Sequence, residues 1–277
     1  MVEIKSRKRG RPRSFRPNTE DTIIQSVDKA ISLLKVVSEG SGRSLSELSE
    51  LAGQPAASAY RALVTLQKHG MVSFDEDRQL WRIDVESFRV GTAFLANTSM
   101  VEQARPMMAS LMSDTGETAN LGIIAGGEVV FLSQVETHEP IRAFFRPGTH
   151  GSIHASGIGK ALFAFRPENL AVQLAHSIQL DRFTESTIQS PDALLQMRQD
   201  TLERGFAIDD QERTMGMRCI AAPIFNSFGE AVSAVSVSGP TVRIGAEKIE
   251  QYGKLVRLAA DEITRNIGGN VTSFLEP

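Results

Sequence analysis

Residues 44–67 read SLSELSELAGQPAASAYRALVTLQ. Ser44 is followed three residues later by Glu47, the spacing of a capping box, in which each side chain satisfies the other residue's backbone N–H. Leu45, Leu48 and Leu51/Ala52 then recur on one helical face, and Gly53 follows where a helix stops on a left-handed residue. Pro55 stands near the start of the next helix, where a missing N–H costs least. In that second helix Ala59, Leu63 and Leu66 share a face, while Ala57, Ser58, Arg61, Thr65 and Lys68 lie largely off it. A short capped helix, a glycine turn and a second helix with a small, basic outer face are the signature of a helix-turn-helix. A helical hairpin inside an unrelated domain has the same local pattern, so the flanks decide.

Upstream, residues 23–37 predict a helix capped by Ser26, with Val27, Ala30/Ile31, Leu34 and Val37 as its buried stripe. Downstream, Gly70 ends the second helix of the hairpin, and Met71–Phe74 and Leu80–Ile83 read as two strands around the polar turn Asp75-Glu76-Asp77. Three helices and a β-hairpin make a winged helix-turn-helix over residues 21–84. Trp81 is expected to pack the wing on the helices, and Arg78 and Arg82 to reach backbone phosphates. Residues 1–20 form a basic arm expected to be disordered, with seven basic side chains and one acid in residues 1–17. Within it Arg9-Gly10-Arg11-Pro12-Arg13 resembles an AT-hook core, suited to a narrow A·T-rich minor groove or to simple phosphate attraction. The candidate DNA-contacting residues are Arg9, Arg11, Arg13, Ser44, Ala57, Ser58, Tyr60, Arg61, Thr65 and Arg82.

Charge supports that reading. The 277-residue chain has a formal net charge of −3, but residues 1–70 carry 12 basic and 7 acidic side chains, and the remainder 18 and 26. A basic end on an acidic body points to a nucleic-acid module joined to something else. The single cysteine, Cys219, excludes an intrachain disulfide framework and a cysteine-rich zinc site. No apolar run approaches a membrane span and no apolar segment follows the basic N-terminus, so a cytoplasmic protein without membrane partners is expected.

Residues 85–101 predict a linker helix, with Val85, Phe88, Phe94 and Leu95 available for packing, and often a dimer contact. A second domain, residues 102–277, opens with a helix carrying Met107, Met108, Leu111 and Met112. Thr118–Ile124 and Glu128–Val135 read as strands joined at Ala125-Gly126-Gly127, with Ala143–Arg146 as a third. A helix over Ser156–Phe165, polar helical segments to Gly205, strands at Phe206–Asp209, Met217–Phe225 and Ala231–Ser238, and a closing helix at Glu247–Ile267 complete an α+β class with an antiparallel sheet.

Three segments of this domain place polar groups where a sheet core does not normally want them. HGSIHASGIGK (150–160) runs from a small-residue loop into a helix, so N–H groups near Gly157 and Ile158 face outward as an anion site. It is not a P-loop, because His154 and Ala161 stand where Gly and Ser or Thr are needed. Asp209 leads towards Cys219, and Ser236 and Ser238, two apart in a strand, share a face opposite Val235 and Val237. Two hydroxyls and a thiol would line a compact polar pocket for a carboxylate or carbonyl. For catalysis Cys219 needs a histidine base, and nothing in the spacing of His150 or His154 supplies one; no metal motif is present.

The stretches QSVDKAISLLKVVSEG, SLSELSELAGQPAASAYRALVTLQKHGMV, SIHASGIGKALFA and DDQERTMGMRCIAAPIFNSFGEAVSAVSVSGP resemble IclR-family transcriptional regulators over roughly residues 22–268. The resemblance implies an N-terminal winged helix, a linker helix and a C-terminal GAF-like effector-binding domain, with no cofactor. It also implies dimers, often paired into tetramers, on palindromic double-stranded operators. Within the family the chain is similar to members that sense glyoxylate or a similar small 2-oxo acid. Their pattern of an acid, a cysteine ten residues on and two serines in the next strand matches Asp209, Cys219, Ser236 and Ser238, and their backbone donors match Gly157 and Ile158. A regulator of glyoxylate use, such as one controlling the β-hydroxyaspartate route, would fit. Ala57 departs from a serine common in the family, and the basic arm extends beyond the shared domain. The alternatives are a regulator answering to another acid, such as an aromatic one, an architectural DNA-binding dimer with no metabolite, and a cysteine-dependent enzyme.

Overall fold

A computed structural model describes residues 23–96 and 100–270, with side chains from 92 to 96 outside the description. The arginines at 9, 11 and 13 therefore lie outside the described residues. The chain divides into two compact units, meeting between Phe94 and Leu95.

The first unit contains helices α1 (Gln25–Ser38), α2 (Leu45–Leu51) and α3 (Ala56–Lys68), strands β1 (Val72–Asp75) and β2 (Leu80–Ile83), and helix α4 (Val85–Ala96). The capping box is present: the Ser44 hydroxyl accepts the Glu47 N–H, and the Glu47 carboxylate accepts the Ser44 N–H at 2.8 Å. Gly53 and Gly70 hold the left-handed φ of +60° and +67° that end α2 and α3. Gln54, in the turn between α2 and α3, donates to the Lys29 carbonyl at 2.9 Å, tying the turn to α1. The wing packs through Trp81, which is 3% exposed among Leu33, Val37, Leu48, Ala59, Leu63 and Val72. The β2 strand also bridges to Arg43, whose carbonyl accepts the Trp81 N–H at 2.8 Å.

Three expectations for this unit are corrected. Helix α1 begins without a side-chain cap at Ile24, and Ser26 lies inside it. Its buried stripe is Leu33 and Val37, with Leu34 half-covered, while Val27 and Ile31 are each 50% exposed. Two apolar stripes overlap in this helix, and only the one facing Leu48, Leu63 and Trp81 is covered. Leu51 likewise turns outward. Val85 and Phe88 of α4 are exposed and so remain available for packing.

The second unit begins with α5 (Met100–Thr115), followed by β3 (Thr118–Ala125), β4 (Glu128–Val135), β5 (His150–Gly151), α6 (Gly157–Ala164), α7 (Glu168–Ser177), α8 (Pro191–Arg204), β6 (Ala207–Asp210), β7 (Met217–Phe225), β8 (Ala231–Pro240) and α9 (Ile249–Asn266). Its strands form one antiparallel sheet in the order β5-β4-β3-β8-β7-β6. The β3–β4 turn has Gly126 and Gly127 at φ +62° and +86°, the pair of left-handed residues that a tight hairpin requires. Ala119, Leu121, Ile220, Ala222, Val235 and Val237 face α5 and α9. Val129, Phe131, Ala207, Ala221 and Ala234 face α6 to α8. The fold is an α+β, GAF-like three-layer domain whose sheet has two covered faces.

The third strand is His150–Gly151, not Ala143–Arg146. The ladder sites on Phe131 are taken by Thr149, whose carbonyl accepts its N–H at 3.1 Å, and by Gly148, which donates to its carbonyl at 2.7 Å. The 143–146 segment instead packs by its rings: Phe145 stacks on Phe131 with centroids 4.4 Å apart.

Candidate functional site

The strand register builds the site. Cys219 in β7 lies opposite Asp209 in β6 on one side and Ser238 in β8 on the other. Residues directly opposite one another in an antiparallel ladder share a face, so acid, thiol and hydroxyl point together towards α6. Ser236, opposite Ala221, shares that face one pleat further on.

Helix α6 lies over this row. Ser156 caps it, its Oγ accepting the Gly159 N–H at 3.1 Å, which leaves Gly157 and Ile158 as the leading amides. A Cβ on Gly157 would stand 2.7 Å from the Cys219 sulfur and 3.3 Å from the Ala221 Cβ. Only glycine lets the helix end come down onto the thiol. Gly157→Ala is therefore expected to destabilise the second unit by about 1–3 kcal/mol, the usual range for an overpacked core, and Cys219→Ala in the same chain to recover part of it. Thermal unfolding of the three proteins checks this; an unchanged Gly157→Ala midpoint would mean the contact is slack.

A cavity of about 350 Å³ opens in front of the row, within the range of small-molecule sites. Gly157, Ile158, Asp209, Cys219 and Ser238 border it; Ser236 does not. Ser236 is fully buried behind the thiol, and its hydroxyl makes no full hydrogen bond. The far wall is aromatic, from Phe131, Phe144 and Phe145.

The Cys219 thiol is pushed up to about 11, first by burial and then by the nearby Asp209 carboxylate, against the pull of the Ser238 and Ser236 hydroxyls and the Gly157 amide. It stays protonated at neutral pH and is a poor nucleophile. His154 turns away, its ring nitrogen 2.9 Å from the Asp181 carbonyl, and burial lowers its pKa. His150 pairs with Glu128 at 2.9 Å on the cavity rim. Among the described residues no cluster of three His, Cys, Asp or Glu side chains suits a metal ion.

Sequence reasoning missed several participants. Asn120 donates to Ser238 Oγ at 3.3 Å and accepts from the Gln134 amide at 2.7 Å, so a buried polar relay backs Ser238. Lys160, 1% exposed, donates to the Ile208 carbonyl at 2.8 Å and pairs with the buried Glu212 carboxylate. A lone lysine in the apolar helix GIGKALFA was a usable signal for a buried ion pair; its partner, in a run of several acids, was not.

On the first unit, Ala57, Ser58, Tyr60, Arg61 and Thr65 form an exposed surface along α3. Three proposed contacts already have intramolecular partners. Ser44 donates to Glu47 within its cap at 2.8 Å, and Arg82 is paired with Asp75 at 3.1 Å. The Thr65 hydroxyl donates back to the Arg61 carbonyl at 2.8 Å.

A winged helix-turn-helix joined to a sheet domain with a ligand-sized cavity is the architecture of a DNA-binding transcriptional regulator. Residues 26–76 match the IclR helix-turn-helix domain, and residues 92–265 match the family of bacterial transcriptional regulator IclR C-terminal domains. The chain belongs to the IclR family of transcriptional regulators, and is a regulator rather than an enzyme. It is 44% identical over 267 residues to the HTH-type transcriptional regulator BhcR of Paracoccus denitrificans, covering 95% of both chains. It is 33% identical over 272 residues to the transcriptional repressor IclR of Escherichia coli, covering 97% of this chain and 99% of that one. The crystal structure of Thermotoga maritima IclR aligns with a TM-score of 0.73 at 28% identity, over 89% of this chain and 100% of the other. Among the described residues no helix is long and apolar enough to cross a membrane.

Proposed function

We propose that this regulator binds a double-stranded operator through α3 and that a small 2-oxo acid, such as glyoxylate, seated over Cys219 controls the binding. The observation that carries the reading is the cavity at the α6 N-terminus, where the leading amides of the helix meet a protonated thiol and the Ser238 hydroxyl. The amides and the positive end of the helix dipole favour a carboxylate, and the thiol and hydroxyl donate to its neighbouring oxygen. Arg61, with Ser58, Tyr60 and Thr65 beside it, reads the groove; Ala57 leaves room for close approach; Ser44, Arg82 and the arginines at 9, 11 and 13 contribute phosphate or minor-groove contacts. Homodimers, paired into tetramers, would present two such heads to a palindrome.

The ligand acts only as far as its affinity differs between the two arrangements of the reading heads. The test is a mobility-shift titration of the full-length protein on its operator, with and without glyoxylate, pyruvate and an aromatic acid. At least one acid is expected to move the operator affinity by about fivefold or more. Arg61→Ala is expected to weaken specific binding by about 1–3 kcal/mol, the worth of a bidentate base contact. Affinity indifferent to every acid would defeat effector control, and unchanged affinity of the arginine variant would remove Arg61 from the base contacts. The stacked Phe131–Phe145 wall is the observation that favours an aromatic acid, and the same panel separates the two readings.

A further inference from the structure

Asp209 poses an electrostatic problem for a carboxylate ligand. Its side chain borders the cavity beside Cys219 and Ser238. The carboxylate accepts the Glu212 N–H at 2.8 Å and is also held by the Arg213 amide. Neither is a cation. Lys160 is the charge that reaches it from α6, but the ammonium is bonded to the Ile208 carbonyl and to Glu212. One buried cation thus faces two buried carboxylates.

Most other ionisable groups around the cavity already have a side-chain partner. Arg218 is tied to Asp210 at 2.7 Å, Arg142 to Glu136 at 2.8 Å and His150 to Glu128 at 2.9 Å. The Arg213 guanidinium lies over the Phe183 ring, 3.9 Å from its centroid. Across the ladder, Cys219 is a neutral thiol. A 2-oxo acid is ionised at neutral pH, so its arrival sets a second carboxylate beside one whose cation, Lys160, is already bonded to Glu212. Two carboxylates sharing a low-dielectric site do not both stay ionised; they hold one proton between them.

Resting on the effector reading above, we infer that Asp209 is the proton-carrying partner of the ligand, so that the acid binds together with one proton taken from solvent. The proton goes onto the Asp209 carboxylate, and the resulting acid donates a hydrogen bond to the ligand's carboxylate. No bond other than O–H forms and no electron moves. Burial already raises the pKa of Asp209 against the pull of Lys160, and that of the neighbouring Glu212 to about 7, so a proton is easier to place here than on an exposed carboxylate. Asp209 is then a specificity residue: once it carries the proton it is a donor, and it favours a ligand that places an anionic acceptor oxygen against it. Because the bound state holds the extra proton, affinity falls as pH rises, by up to about tenfold per unit.

The test is titration calorimetry of the full-length protein with glyoxylate, and with pyruvate as a second probe, at pH 7.5 in buffers of differing ionisation enthalpy. The observed heat is expected to follow the buffer enthalpy with a slope of about one proton taken up, and the dissociation constant to rise between pH 6.5 and 8.5. Asp209→Asn carries a permanent donor of the same shape. It is expected to bind within about fivefold of wild type, with no buffer dependence and a flat pH profile. A zero slope in wild type, with heat of binding present, overturns the inference: Asp209 would remain ionised and accept from the ligand. So does an Asp209→Asn protein that keeps the wild-type slope. If Asp209→Asn does not fold, the wild-type buffer series and pH profile decide alone. Absence of binding by any acid is a different result; it removes the effector reading itself and this inference with it.

Discussion

Lys160→Met is expected to destabilise the second unit by about 3–5 kcal/mol at pH 8, the cost of stranding a buried charge by removing its partner. The stranded group is the Glu212 carboxylate, whose second oxygen already lacks a hydrogen bond in the intact pair. The sign with pH follows from the direction of its shift. Burial raises the folded pKa of Glu212 to about 7, above the usual 4.5, and Lys160 works against that rise. A raised acid supports the fold below its unfolded pKa and loses that support as pH climbs through the folded value. Without Lys160 the folded value rises further, so the variant falls short of wild type most at pH 8 and least near pH 5, where Glu212 is neutral in both. Scanning calorimetry at the two pH values checks this, with the winged unit's transition as an internal reference. Lys160→Met/Glu212→Leu is expected to recover most of the loss, since a buried pair replaced by apolar groups of similar size is often near neutral. Equal midpoints for wild type and Lys160→Met at pH 8 would show that the pair is solvated.

Trp81→Ala is expected to abolish operator binding while leaving acid binding intact. The core of the winged unit is small, and Trp81 is its largest member, packed against Phe74 with ring centroids 4.7 Å apart. Truncating a buried tryptophan costs about 3–5 kcal/mol, a large share of the stability that a domain of this size possesses. The loss also loosens β2 from Arg43, and with it the segment that positions the α2 cap. Trp81→Phe keeps a ring in the cavity and is expected to retain measurable operator binding. Mobility shift and calorimetry on the same preparation read the two units separately. A Trp81→Ala protein with wild-type operator affinity would show that the wing does not support the reading helix.

Both variants act on groups whose partners lie far away in sequence, and this marks what could be read from the residues alone. Local chemistry was legible wherever a signal closes on itself within a few residues. The capping box at Ser44 and Glu47, the left-handed glycines at Gly53 and Gly70, and the Gly126-Gly127 turn all do so. Strand alternation also told which of Ser236, Val237 and Ser238 share a face. Helix α1 marks the limit: its periodicity offered two stripes, and only the position of Trp81 and Leu63 selects Leu33 and Val37 over Val27 and Ile31.

The sequence by itself determined the two-unit plan, the helix-turn-helix with its wing, and the small-residue loop that lets a helix end approach the sheet. Tertiary structure alone decided which groups stand behind the cavity's lining. Asn120 meets Ser238 across 118 residues, and Lys160 meets Glu212 across 52. Periodicity reports which face a side chain takes within its own element; it carries no information about which element covers that face, or at what register. Burial and pairing, which set the charge state of Asp209, Glu212 and Cys219, depend on that covering, and so the charge states, unlike the residues themselves, became readable only with α6 over the sheet.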